Sequence, residues 1–253
     1  MVSDFSPWHG LRPLSSLDLK GNSRGGSGKE GGSKMRKWAH FAVVAMVAIT
    51  TSPAHALDLS SLAGTAEVQF IPMQHAGIRN GCALSYRIAI QDHAYRQGKL
   101  IGVVGNIIYA TSNKKTGGAG ILALKIQTQD ILDSDAKPEP PFFAYIETPH
   151  GTTARSNFTQ AELDTPGARH FAYQLDEQTT NVLTDILSGA SVTIGFNRVK
   201  DGLDILAPLD LQVADSTTTD TGIKRHRSPE MLRKFGSCVL EIAKSAKERL
   251  GVK

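Results

Sequence analysis

The chain carries only two cysteines in 253 residues, which excludes a disulfide-dense scaffold and a four-thiol metal centre, and they form no Cys-x-x-Cys redox pair. No Gly-x-x-x-x-Gly-Lys-Ser/Thr phosphate loop, Gly-x-Ser-x-Gly elbow or His-Glu-x-x-His helix occurs, so the common nucleotide, esterase and zinc-protease signatures are missing. Gly117-Gly118-Ala119-Gly120 lies in an expected hairpin and not between a strand and a helix, which argues against a dinucleotide loop. No apolar run approaches the ~20 residues that span a bilayer, and no internal period marks a repeat protein. Charge imbalance is also absent where it would matter. Of 28 Lys/Arg and 24 Asp/Glu, residues 1–56 hold seven and three, leaving 21 of each from Leu57 onward. Nucleic-acid binding driven by overall charge is thereby excluded.

What is present begins with the leader. Met35-Arg36-Lys37 is a basic n-region, Phe41–Ile49 an uncharged h-region, and Ala54-His55-Ala56 a small-x-small cleavage site. This order is that of a secretory signal peptide over 35–56, cut between Ala56 and Leu57. No Cys follows the cut, which argues against a lipoprotein. Residues 1–34 are Gly/Ser-rich and non-periodic; they read as a disordered extension or an upstream mis-assigned start, with Met35 the favoured initiator. The expected product is one exported β-rich domain, 57–253, periplasmic or secreted, with no transmembrane span.

Thr65–Ile71 is a strand candidate ended by Pro72, and Asn80-Gly81 a turn signal. In Cys82–Gln91 the residues Cys82, Leu84, Tyr86, Ile88 and Ile90 share one face, the period of a half-buried strand. Leu100–Thr111 reads as a central strand, with Gly102 and Gly105 marking a bulge or a close backbone approach. The turn Ser112–Gly118 returns it antiparallel into Ala119–Gln129. Lys137–Pro141 is a stiff linker, followed by strands Phe142–Thr148 and Ala168–Leu175 across a long polar loop. Thr179–Leu187 is a short helix stopped at Gly189, and Val192–Phe196 a strand. Lys200-Asp201-Gly202 turns into an edge-like strand, Leu203–Leu211, interrupted by Pro208. Residues 213–227 read as a mobile polar linker. The C-terminal helix, 228–250, has Ser228 as N-cap, Met231, Phe235, Cys238, Val239, Ile242 and Ala246 on its apolar face, and a Lys244–Glu248 pair. The fold class expected is mainly β: an antiparallel sandwich or partly open barrel, with a short helix and an amphipathic C-terminal helix on it.

Two periodicities aim Cys82 and Cys238 at the core, and an oxidising compartment makes them a disulfide. The histidines His75, His93, His150, His170 and His226 show no ligand spacing, so structural roles are the reading retained. Asp130, Asp133, Asp135 and Glu139 offer oxygens to Ca²⁺ but lack the Gly-containing loop that organises such a site. Asn157-Phe158-Thr159 matches a glycosylation acceptor. The basic run Lys224-Arg225-His226-Arg227 suggests weak contact with an anionic surface through Lys224, Arg225 and Arg227. No catalytic set, metal or cofactor is indicated.

The order of a short helix at Thr180–Leu187, Ser188–Phe196, Leu203–Leu211 and a closing helix resembles the bacterial invasion-associated locus B type of periplasmic protein. It departs from that pattern in lacking the extra cysteines and in its longer closing helix, and it transfers no functional residue. The resemblance implies an exported, non-enzymatic β-sandwich. The functional expectation is an exported binding or envelope-accessory protein with an unidentified ligand or partner. The alternative is a periplasmic hydrolase built on loop histidines, His150 or His170, with a nearby carboxylate. A deep polar pocket would favour the enzyme; an exposed apolar patch or open strand edge would favour the binder.

Overall fold

A computed structural model describes residues 59–75, 78–111, 120–131, 133, 136–163, 165–219 and 222–250, all within the compact unit Leu57–Lys253. The leader, the Ala56–Leu57 cut, the 112–118 turn, Asp135 and the His75 side chain lie outside the described residues. After one turn of 3₁₀ helix at Leu59–Leu62 come β1 (Gly64–His75), β2 (Ile78–Asp92), β3 (Lys99–Thr111), β4 (Gly120–Asp130), β5 (Phe143–Thr148) and β6 (Gly151–Thr152). Then follow β7 (Phe158–Glu162), β8 (Ala168–Gln174), α1 (Glu177–Ser188), β9 (Val192–Asn197), β10 (Ile205–Leu209), β11 (Val213–Thr219), β12 (Gly222–Arg227) and α2 (Glu230–Leu250).

The alternation in β2 sets the architecture. Cys82, Leu84, Tyr86, Ile88 and Ile90 are all buried, and cross-strand pairing carries their face through Ile107 and Tyr109 of β3, Leu122 and Leu124 of β4, and Phe171 and Tyr173 of β8. The resulting antiparallel sheet has the order β1-β2-β3-β4-β8-β7. Its second face is also partly apolar, around Ala83, Ile108 and Ala123, which is why β3 reads as apolar throughout. Register runs unbroken through Gly102 and Gly105, so neither makes a bulge. Gly105 is the close approach: an added Cβ would lie 2.5 Å from the Tyr86 hydroxyl and 2.1 Å from Lys125 O. Burial raises the Tyr86 phenol pKa, so the ring stays neutral in the core.

A second antiparallel sheet, β10-β9-β5-β6, faces the first across one core and supplies Ala144, Ile146, Ile194, Phe196 and Ala207 to it. The sheets do not close into a barrel. Where β5 extends past its two-residue pairing with β6, side chains meet its backbone: the Tyr173 hydroxyl donates to Ala144 O and the Thr153 hydroxyl accepts from Ile146 N.

α1 is capped by Asp176, whose carboxylate accepts from Thr179 N at 2.8 Å, so it starts at Glu177, ahead of the expected Thr179; it ends on left-handed Gly189, as its sequence indicates. In α2 the Ser228 hydroxyl accepts from Glu230 N at 3.3 Å. Phe235, Cys238, Val239 and Ile242 are buried, and Cys238 is bonded to Cys82 with Cα atoms 6.2 Å apart. The helix is thereby tied to the strand that organises the first sheet. An i, i+4 ion pair joins Lys234 to Glu230 at 2.7 Å, and not the expected Lys244 and Glu248. Among the described residues no helix is long and apolar enough to cross a membrane. Gly236 is half-buried, and an added Cβ would meet only Leu187 at 3.6 Å, ordinary contact. Gly236→Ala is therefore expected to stabilise the protein by about 1 kcal/mol in urea unfolding; destabilisation would show that α2 sits closer to α1 than this.

Several sequence expectations need correction. Pro72 does not end β1: it sits opposite Cys82 on the sheet's edge, where a missing N–H is tolerated. Asn80-Gly81 is no turn but lies inside β2, with Gly81 opposite Met73 and Ala110. The polar stretch before Ala168 contains β7, paired to β8. Residues 213–227 are no mobile linker. They form the β11–β12 ribbon, held by buried Val213 and by Arg225, which donates to the Thr65 and Ala63 carbonyls.

Candidate functional site

Among the described residues, three of the exposed large aliphatic side chains lie on and beside the turn between β9 and β10. Leu203 is 69 % exposed, Leu206 55 % and Val199 53 %. β10 alternates: Ile205, Ala207 and Leu209 face the core, whereas Leu206 and Pro208 face out. Such exposure in a loose loop would mean little, but this turn is braced from below. Tyr95 donates its hydroxyl proton to Leu203 O at 2.6 Å, and Asp204 accepts from the Tyr145 hydroxyl (3.0 Å) and from Asn197 Nδ2 (3.1 Å). Burial, then the bond to Asp204, pushes the Tyr145 phenol up to about 12, so Tyr145 stays a donor. An added Cβ at Gly202 would lie 2.3 Å from the Tyr95 hydroxyl, so a side chain there would displace the Tyr95 ring from its bond to Leu203.

The turn is also anchored by charge. Arg198 Nε donates to fully buried Asp92 at 3.1 Å, and Arg198 pairs in addition with Glu139. Asp92 also accepts from Tyr95 N at 2.8 Å, and Arg96 reaches Glu139 at 3.2 Å. One buried carboxylate thus fixes both Tyr95 and Arg198, the two supports beneath Leu203 and Val199.

The same network bears on the acidic cluster. Asp130, Asp133 and Glu139 line a cavity of about 230 Å³ together with Arg96, Lys137 and Arg198. Cations already occupy the Glu139 carboxylate, and among the described residues no group of three ligating side chains surrounds a metal-sized space.

The histidines do not converge. His150 Nδ1 lies 2.8 Å from Asp185 Oδ1, and Asp185 Oδ2 accepts from the backbone N of His150 at 2.9 Å. The hydrogen bond from the His150 ring leads the effects that hold the Asp185 carboxyl below its ordinary range. This is a clamp of the 149–150 turn onto α1, with the imidazole largely in solvent. His170 lies half-buried on the outer face of β8, opposite Lys125. Burial, and then the charge of Lys125, pushes its pKa down. Burial brings Lys125 itself down to about 8, and its ammonium donates to Thr165 at 3.1 Å. His93 is exposed, and His226 lies 3.7 Å from Asp215.

Of the basic run, Arg225 is turned inward and Arg227 pairs with Asp210 at 3.2 Å, while Lys224 is exposed. Asn157 is exposed just ahead of β7. Phe158 stacks among Phe143, Phe171 and Tyr173, with centroids 5.3–6.0 Å apart.

Fold and site define a mainly β protein of two facing open antiparallel sheets and a two-stranded ribbon, with a disulfide-pinned helix and an exposed apolar rim. No family model, curated protein or solved structure matches the chain.

Proposed function

We propose that this is an exported, non-enzymatic binding protein of the cell envelope that holds an apolar segment of a partner protein on the 198–206 rim. One observation carries the reading: three large aliphatic side chains stand half or more exposed on and beside a turn that is held by the Tyr95–Leu203 hydrogen bond and by the ion pair of Arg198 with buried Asp92. Exposed apolar clusters of this kind favour association, and a pre-ordered turn loses little conformational entropy on binding. Export is supported by the sequence of the leader and by the Cys82–Cys238 bond, because such bonds persist in oxidising compartments. The resemblance to invasion-associated locus B type proteins implies the same class. The hydrolase alternative draws on the His150–Asp185 contact, yet Asp185 serves equally as acceptor for the backbone of that turn.

The test is cross-linking in the native envelope, comparing the natural chain with Leu203→Asp, Leu206→Asp and His150→Gln. The aspartate variants are expected to lose at least tenfold of the captured partner at unchanged melting temperature, and His150→Gln to lose none. Equal capture by all variants, or adhesion to protein-free lipid vesicles in place of a protein, would overturn the reading.

A further inference from the structure

One carboxylate stands among the exposed side chains of the rim. Asp204 follows Leu203 directly, and the alternation of β10 turns it to the same side as Leu206. It is exposed but held: the Tyr145 hydroxyl donates to its Oδ2 at 3.0 Å and Asn197 Nδ2 to its Oδ1 at 3.1 Å. Tyr145 and Asn197 are each only 8 % exposed. The Tyr145 ring lies so close over Gly195 that an added Cβ there would come within 2.2 Å of it.

Both donors to Asp204 are neutral. Among the described residues no ion pair includes it. Arg198 is committed to Asp92 and Glu139, and the charge of exposed Lys200 is offset by exposed Asp201 beside it. Asn197 adds to the imbalance. With its amide proton given to Asp204, its Oδ1 is buried and accepts from nothing among the described residues. One full negative charge on the rim is thus left without a counter-charge.

A partner that covers Leu203 and Leu206 also takes this carboxylate out of water. Tyr145 and Asn197 would still bond it, but neutral donors do not offset the lost hydration of a charge. A purely apolar segment is opposed at this point, and an acidic one more so. We infer that Asp204 seats a basic side chain, a lysine or arginine, set among the apolar residues of the segment that the rim holds. The cation donates a charge-assisted hydrogen bond to the carboxylate, which Tyr145 and Asn197 have already ordered, so little freedom is lost in fixing it. The inference rests on the rim reading and narrows it to a partner with a positive charge in register with the two leucines.

Three end-blocked, fluorescently labelled peptides test this on the purified protein: one short aliphatic segment with lysine, glutamine or glutamate as its central residue. The lysine peptide is expected to bind about fivefold tighter than the glutamine peptide, the scale of one partly exposed ion pair. The glutamate peptide should bind weakest, and added salt should shrink these differences. Asp204→Asn is expected to abolish the preference and leave the affinity of the glutamine peptide unchanged. The turn survives this change, because Asn197 can turn its amide over and accept from the new one; an unchanged melting temperature checks that. Asp201→Asn removes a neighbouring exposed carboxylate and should keep the preference. Equal binding of the lysine and glutamine peptides, a preference that survives Asp204→Asn, or one that Asp201→Asn abolishes equally would overturn the inference. Leu206→Ala separates it from the rim reading. If lysine and glutamine peptides bind alike and Leu206→Ala weakens both, the rim stands and only the basic partner is lost. Failure of all three peptides to bind would overturn both.

Discussion

Replacing Cys82 or Cys238 by alanine is expected to lower stability by roughly 5 kcal/mol, and replacing both should cost little more than replacing one. The bond joins positions 156 residues apart, so reducing it frees a long loop in the unfolded chain, where the entropy gained is greatest. The loss is comparable with the ~5–15 kcal/mol that separates a folded domain from its unfolded state. Both sulfurs are buried, so the damage is also local: α2 docks through Phe235, Cys238, Val239 and Ile242, and its link to β2 would go. Urea unfolding of the two single variants and the double variant measures this, together with the yield of folded exported protein. Single variants within about 1 kcal/mol of the natural protein would show that α2 stays docked by burial alone.

That bond was legible because each cysteine sits in a strong pattern of its own. Cys82 lies in a period of two and Cys238 in a period of 3.6, each on an apolar face set against a more polar one. Where both faces meet water, the pattern vanishes. Ser216-Thr217-Thr218-Thr219 and Lys224–Arg227 pair as a ribbon, but nothing apolar alternates along them, so polarity hides the strands. β7 is hidden for the same reason, since its contacts come from one short neighbour and a ring cluster. Asn80-Gly81 carries turn chemistry that long-range pairing overrides on both sides.

The rim was half legible. Lys200-Asp201-Gly202 marks the turn and β10 is an edge strand, as expected, but it spans only Ile205–Leu209 and runs in unbroken register through Pro208, which does not interrupt it. The outward side of β10 could not be read, because Leu206 and Pro208 are as apolar as the inward Ile205, Ala207 and Leu209. Its supports left no local signal at all. Asp92 and Arg198 stand 106 residues apart, and only the pairing of the two sheets brings them together.

Arg198→Ala tests those supports directly and is expected to cost about 3–5 kcal/mol, the range for leaving one member of a buried ion pair alone. Asp92 is fully buried, and Arg198 is only 12 % exposed. Tyr95 N would remain as a donor to the carboxylate, but the charge would have lost the guanidinium that balances it. Glu139→Ala removes the other carboxylate on Arg198, which is 52 % exposed, and should cost only about 0–1 kcal/mol. Asp92→Ala with Arg198→Ala should cost less than the sum of the two single changes, since the double variant buries no unpaired charge. Because Asp92 holds both Tyr95 and Arg198, Arg198→Ala should also weaken capture at Leu203 in protein that is still folded, whereas Glu139→Ala should not. Chemical denaturation of the four variants and the capture assay read these effects. A cost for Arg198→Ala no larger than that for Glu139→Ala would mean that the buried Asp92 carboxylate is held by Tyr95 N, and that the rim is held in place by Tyr95 and Asp204 alone.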